Sequence, residues 1–87
     1  MKAVVTVVGK DRVGIIARVS SLFSENNINI LDISQTIMQD MFTMIMLIEL
    51  PKESLKQIND ELLALADEMN LSIHLQNEKL FNSMHRI

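Results

Sequence analysis

The segment Phe42-Thr43-Met44-Ile45-Met46-Leu47-Ile48-Glu49-Leu50 places apolar side chains on both faces of an extended chain, with Phe42, Met44, Met46 and Ile48 on one and Ile45 and Leu47 on the other. A strand wetted on one side alternates apolar with polar residues, so a strand apolar on both sides belongs in the interior of a sheet. Residues 3–8 behave the same way, Ala3, Val5 and Val7 opposing Val4 and Val8. The segments Ile28–Met38 and Leu71–Asn77 do alternate, which assigns them to the edges. After Gly9-Lys10-Asp11 the apolar spacing changes to Ile15, Ile16, Val19, Leu22 and Phe23, the stripe of a helix. The Asp11 carboxylate is suited to cap its first turn, and the helix is expected to end near Asn26-Asn27.

Gln39-Asp40-Met41 is short enough to close a hairpin between the second and third strands. Pro51 ends the third strand, and Ser54-Leu55-Lys56-Gln57 fits a capping box opening a second helix with the stripe Leu55, Ile58, Leu62, Leu65, Ala66 and Met69. The order β-α-β-β-α-β with two interior strands predicts an α+β, ferredoxin-like fold. Its antiparallel sheet has the order 4-1-3-2, with both helices on one face.

That arrangement leaves the second face of the interior strands to be covered. Three or four such side chains left in water forfeit about 1.5–3 kcal/mol each, comparable with the stability of a whole small domain. Residues 1–77 read as one domain and residues 78–87 as a tail with Leu80, Phe81, Met84 and Ile87 at helical spacing, able to cover this face or reach a neighbour. The 87 residues include no cysteine, so no disulfide or thiolate site adds stability. A homo-oligomer, dimeric or higher, is expected.

Eight Lys plus Arg against eleven Asp plus Glu give a formal charge of −3 without a basic cluster, which argues against nucleic acid and anionic membrane surfaces as partners. The run Met44–Ile48 is far short of the roughly 20 apolar residues of a membrane span, and the first strand is too short for a signal-peptide core. A cytoplasmic location is expected. An RNA-recognition domain of this topology needs stacking aromatics, whereas the chain has three Phe and neither Tyr nor Trp. A soft-metal carrier needs paired cysteines in the first loop. An acyl-phosphate hydrolase needs a phosphate cradle with an Arg and a positioned Asn, for which Lys10 and Arg12 are the only support. His74, beside Ser72 and Gln76 on the polar side of the fourth strand, and His85 sit in no catalytic motif and read as solvated or interface histidines. Asp60-Glu61 and Asp67-Glu68 are helix neighbours that point apart and read as a solvated face. The methionines most simply fill irregular packing. No catalytic residue, metal site or cofactor is expected.

Both glycines of the chain fall in Gly9-Lys10-Asp11-Arg12-Val13-Gly14-Ile15-Ile16. Gly14 lies in the first helical turn, where it costs about 0.5–1 kcal/mol relative to alanine, so some group is expected to approach it closely. The free amides and positive dipole of that turn suit a carboxylate. A neighbouring strand or subunit packed on the bare backbone accounts for Gly14 as well. The anion reading requires open space there, and a side chain of the protein filling it would leave only an assembly role. In Ile28-Asn29-Ile30-Leu31 the phase of Ile28 and Ile30 opposes that of Leu31, Ile33 and Ile37, which implies a bulge near Asn29. Asn29 either projects into a cleft or bonds its own backbone.

The combination of Gly9 to Ala17 with Asn29-Ile30-Leu31-Asp32, about fifteen residues after Gly14, resembles an ACT domain over nearly the whole chain. Within that family it is most similar to small free-standing ACT proteins related to the repeats of the glycine-cleavage regulator. The resemblance implies a non-catalytic regulatory module in which two domains associate and hold a small effector, often an amino acid, at their junction, acting in trans on a protein partner. It implies that Asp11, Arg12, Gly14 and Ile15 of one subunit face Asn29 and Ile30 of the other. Amides near Gly14 would take the effector carboxylate, and Asp11 or Asn29 its ammonium group. Val13 stands where many members have proline, and Gly9 where some amino-acid binders have a polar side chain. A module that pairs with itself or another protein, without a metabolite, would use the same surface.

Overall fold

The computed structural model describes residues 1–79. Its elements are β1 (Lys2–Gly9), α1 (Arg12–Glu25), β2 (Asn29–Met38), β3 (Met41–Glu49), α2 (Leu55–Met69) and β4 (Ser72–Asn77), with a single 3-10 turn at Lys52–Ser54. The strands form one antiparallel sheet of order β2-β3-β1-β4, as the two-faced apolar pattern of β1 and β3 predicts. The helical stripes land where their spacing puts them. Ile15, Val19 and Phe23 of α1 and Ile58, Leu62, Leu65 and Ala66 of α2 are buried. They share one core with Ala3, Val5, Val7, Phe42, Met44, Met46, Ile48 and Ile73, all from a single face of the sheet. No charged or polar side chain is buried among the described residues.

The bulge lies between Ile30 and Asp32, one to two residues beyond the position that the sequence suggests. Leu31 is the additional residue. Because it takes no place in the ladder, Ile30 opposite Ile48, Ile33 opposite Met46 and Ile37 opposite Phe42 all point to the helix side despite their mixed parity. The hairpin turn is tighter than expected: Met38 pairs with Met41, leaving Gln39 and Asp40, with Gln39 at a left-handed φ of 57°.

The capping box at Ser54 does not form. Ser54 closes the 3-10 turn in a helical conformation, and its hydroxyl caps nothing. Gln57 turns instead toward α1, donating to Glu61 Oε2 (3.0 Å) and Asn26 Oδ1 (3.5 Å). The acidic pairs of α2 are likewise not a purely solvated face. Glu61 accepts from Asn26 Nδ2 at 3.2 Å and Glu68 forms an ion pair with Arg18, so one member of each pair ties the helices together. Asn77 Oδ1 accepts from the Lys79 amide at 2.7 Å, an N-cap for the helical turn at Glu78 and Lys79. The rest of the expected tail helix, residues 80–87 with His85, lies outside the described residues.

Candidate functional site

Among the described residues the left-handed turns fall on Asn27, Gln39 and Asn70, while neither glycine has positive φ. Both glycines are therefore present for room, and the structure shows who occupies it. A Cβ on Gly9 would collide with Leu71 Cδ2 and lie 2.8 Å from Ile15 Cδ1, so Gly9 lets the α2–β4 connection close over the end of β1. A Cβ on Gly14 would lie 2.8 Å from Asp11 Oδ2. Asp11 is the N-cap of α1: its Oδ1 accepts from the Gly14 amide at 3.2 Å and its carbonyl from the Ile15 amide at 2.9 Å. The anion-binding space over Gly14 is thus filled by a carboxylate of the protein itself, which overturns the reading of the Gly14 amide as an open site for an effector carboxylate and leaves any effector reading to rest on other groups of this loop. Arg12 and Val13, one turn too early for an i−4 acceptor, carry the amides that helix geometry leaves free.

Around this capped turn the exposed charges make two bridges. Arg12 Nη2 donates to Gln35 Oε1 of β2 at 3.3 Å, and Lys10 Nζ lies 3.9 Å from Asp40 Oδ2 in the hairpin. Ile15 is fully buried, so its side chain faces the core and not this surface. Asn29 and Ile30 lie at the other end of β2, opposite Glu49 and Ile48, with Asn29 exposed and Ile30 half-buried. From Asn29 to Gln35 the strand covers about 20 Å at the usual rise per residue. Within one chain, then, Asp11, Arg12 and Gly14 cluster at one end of the edge strand and Asn29 and Ile30 stand at the opposite end.

A depression of about 560 Å³ adjoins the same loop, lined by Val8, Gly9, Lys10, Asp11, Met41, Met69, Asn70, Leu71 and Ser72. Its polar contributors from the α2–β4 turn escape motif reading, as does Gln35. Gln35 was findable: once the bulge is placed at Leu31, it is the polar residue in the phase of Ile33 and Ile37. Among the described residues no three His, Asp, Glu or Cys side chains converge to hold a metal, and no helix is long and apolar enough to cross a membrane.

Known proteins match this chain along its length. The ACT domain family model matches residues 2–76. A UPF0237 protein of Clostridium acetobutylicum is 54% identical over 89 residues, covering 100% of both chains. The solved ACT domain protein from Streptococcus pneumoniae superimposes with a TM-score of 0.82 at 39% identity, covering 93% of each chain. A candidate glycine cleavage system transcriptional repressor, 28% identical, gives a TM-score of 0.78 over 86% of this chain and 44% of its own. With the βαββαβ order, the sheet order and the Asp-Arg-x-Gly turn between β1 and α1 all in place, the chain belongs to the ACT domain family.

Proposed function

We propose that this chain is a non-catalytic regulatory module that takes a small amino-acid-like effector at the junction of two copies and acts in trans on a protein partner in the cytoplasm. One observation carries the reading: the charged start of α1 and the Asn29 end of β2 flank the same unpaired sheet edge at opposite ends. They come together when a second copy lays its β2 antiparallel against the first about a two-fold axis, which also continues the sheet. Arg12, exposed and steadied by Gln35, then offers a guanidinium to an effector carboxylate, and Asp11 with Asn29 of the other copy offers acceptors to its ammonium group. An effector carboxylate reaching the Gly14 amide would displace the Asp11 cap. That costs about 0.5–2 kcal/mol, up to half of the roughly 4 kcal/mol of millimolar binding, so the Arg12 guanidinium is the better partner for the carboxylate.

The Asp11 carboxylate over Gly14 favours a second reading, an interaction module that pairs through the β2 edge without a metabolite. Thermal shift against the standard amino acids distinguishes the two. Effector at 100 times its Kd adds about 2.7 kcal/mol, a rise in Tm of several degrees or more that should vanish in Arg12→Ala. If no amino acid moves the midpoint while sedimentation still shows a dimer, the effector reading fails and the assembly reading stands.

A further inference from the structure

The face of the sheet away from the helices carries Val4 and Val8 of β1 beside Ile45 and Leu47 of β3, an apolar patch across the two interior strands. We propose that this patch is covered by the chain's own C-terminal segment, residues 80–87. Val4 is only 6% exposed, although it points to this face and takes no part in the core under the helices. Its same-face cross-strand neighbours are Leu47 and Gln76, longer side chains that shield it within the sheet. Ile45, two residues beyond Leu47 on the same patch, is 38% exposed, so open apolar surface runs from there toward the Val4 end. That is the end at which the C-terminal segment starts. β4 finishes at Asn77, opposite Ala3, and Asn77 caps the turn at Glu78 and Lys79, so the described chain ends near Val4.

The eight remaining residues fit the patch in length and in chemistry. At helical rise they span about 12 Å, enough to pass from β4 over β1 to β3 at about 4.8 Å per strand. Leu80, Phe81, Met84 and Ile87 recur at i, i+1, i+4 and i+7, which gathers them on one side, with Asn82, Ser83 and Arg86 on the other. The patch is separate from the β2 edge, so this inference stands whether or not an effector binds there.

Because the chain has no cysteine, introduced pairs report without interference. Full-length proteins carrying Phe81→Cys together with Thr6→Cys, Ile45→Cys or Leu47→Cys are oxidised, with Phe81→Cys plus Leu63→Cys on the outer side of α2 as the control. The expected result is an intramolecular disulfide at monomer mass in at least one open-face pair and none in the control. Cross-linked dimers alone would mean that a second copy supplies the cover, and no cross-link in any open-face pair would mean that the segment lies elsewhere; either result overturns the proposal. As a second measurement, Phe81→Asp in the full chain should lower Tm by several degrees. An unchanged Tm would also overturn it.

Discussion

Asp11 and Gly14 are a matched pair. Placing the carboxylate over the first turn of α1 satisfies the Gly14 amide, and the missing Cβ leaves the carboxylate room to do so. Removing the cap in Asp11→Ala should destabilise the fold by about 1 kcal/mol, measured by urea denaturation. The same variant reports on the effector. If an effector carboxylate competes with Asp11 for the Gly14 amide, its affinity should rise about fivefold, and if Asp11 receives the ammonium group, affinity should fall. Gly14→Ala regains about 0.5–1 kcal/mol of helix propensity while crowding the cap, so the two effects oppose each other and the net change should stay within about 1 kcal/mol. Gly9 is different because its neighbours are packed. A Cβ there meets Leu71 and the buried Ile15, so Gly9→Ala should cost about 1–3 kcal/mol and be partly rescued by Leu71→Ala, a coupling that a double-mutant cycle reads directly. The presence of both glycines in one loop was legible in the sequence, but the reason for Gly9 was not, because the residue that presses on it lies more than sixty positions away in the chain.

At the level of the elements, periodicity carried most of the information. The interior strands were legible from Phe42 to Ile48 and Ala3 to Val8 because burial on two faces leaves a mark that neither a helix nor an edge strand makes. The Ser54 cap and the bulge were less so. A capping box is a local pattern that competes with tertiary partners, and Gln57 has better ones in Asn26 and Glu61 than the Ser54 backbone offers. The bulge moves a single residue out of the ladder, and parity alone cannot say whether Asn29, Ile30 or Leu31 is the one displaced. Its consequence is functional. β2 lies at the edge with Leu31, Ile33, Ile37 and Met38 all exposed and Asp32 as the strand's one charge, an edge that an isolated domain would be expected to protect with more charge. Ile33→Lys supplies such a charge at a position already 41% exposed. It should leave the stability of the single chain within about 0.5 kcal/mol of wild type and abolish self-association in sedimentation velocity.

The molecule is a slab 20 Å thick and about 35 Å across, and its described residues put one layer of helices on one sheet. Such a shape has a core on one side only, so two surfaces demand partners, the free sheet face and the unpaired β2 edge. They can be told apart by how stability responds to concentration. A surface covered by the chain itself is insensitive to dilution, whereas one covered by a second copy couples folding to association. Above the dimer Kd, each tenfold increase in protein concentration adds about 0.7 kcal/mol per chain, or about 3–6 °C in Tm for a domain of this size. If β2 is the edge that a second copy covers, wild-type protein should show this rise between micromolar and hundred-micromolar concentration. Ile33→Lys should abolish it, and Phe81→Asp should lower the entire curve while keeping its slope. A slope that survives Ile33→Lys but disappears in Phe81→Asp would reverse the assignment of the two surfaces, with the sheet face joining the copies and the edge left free.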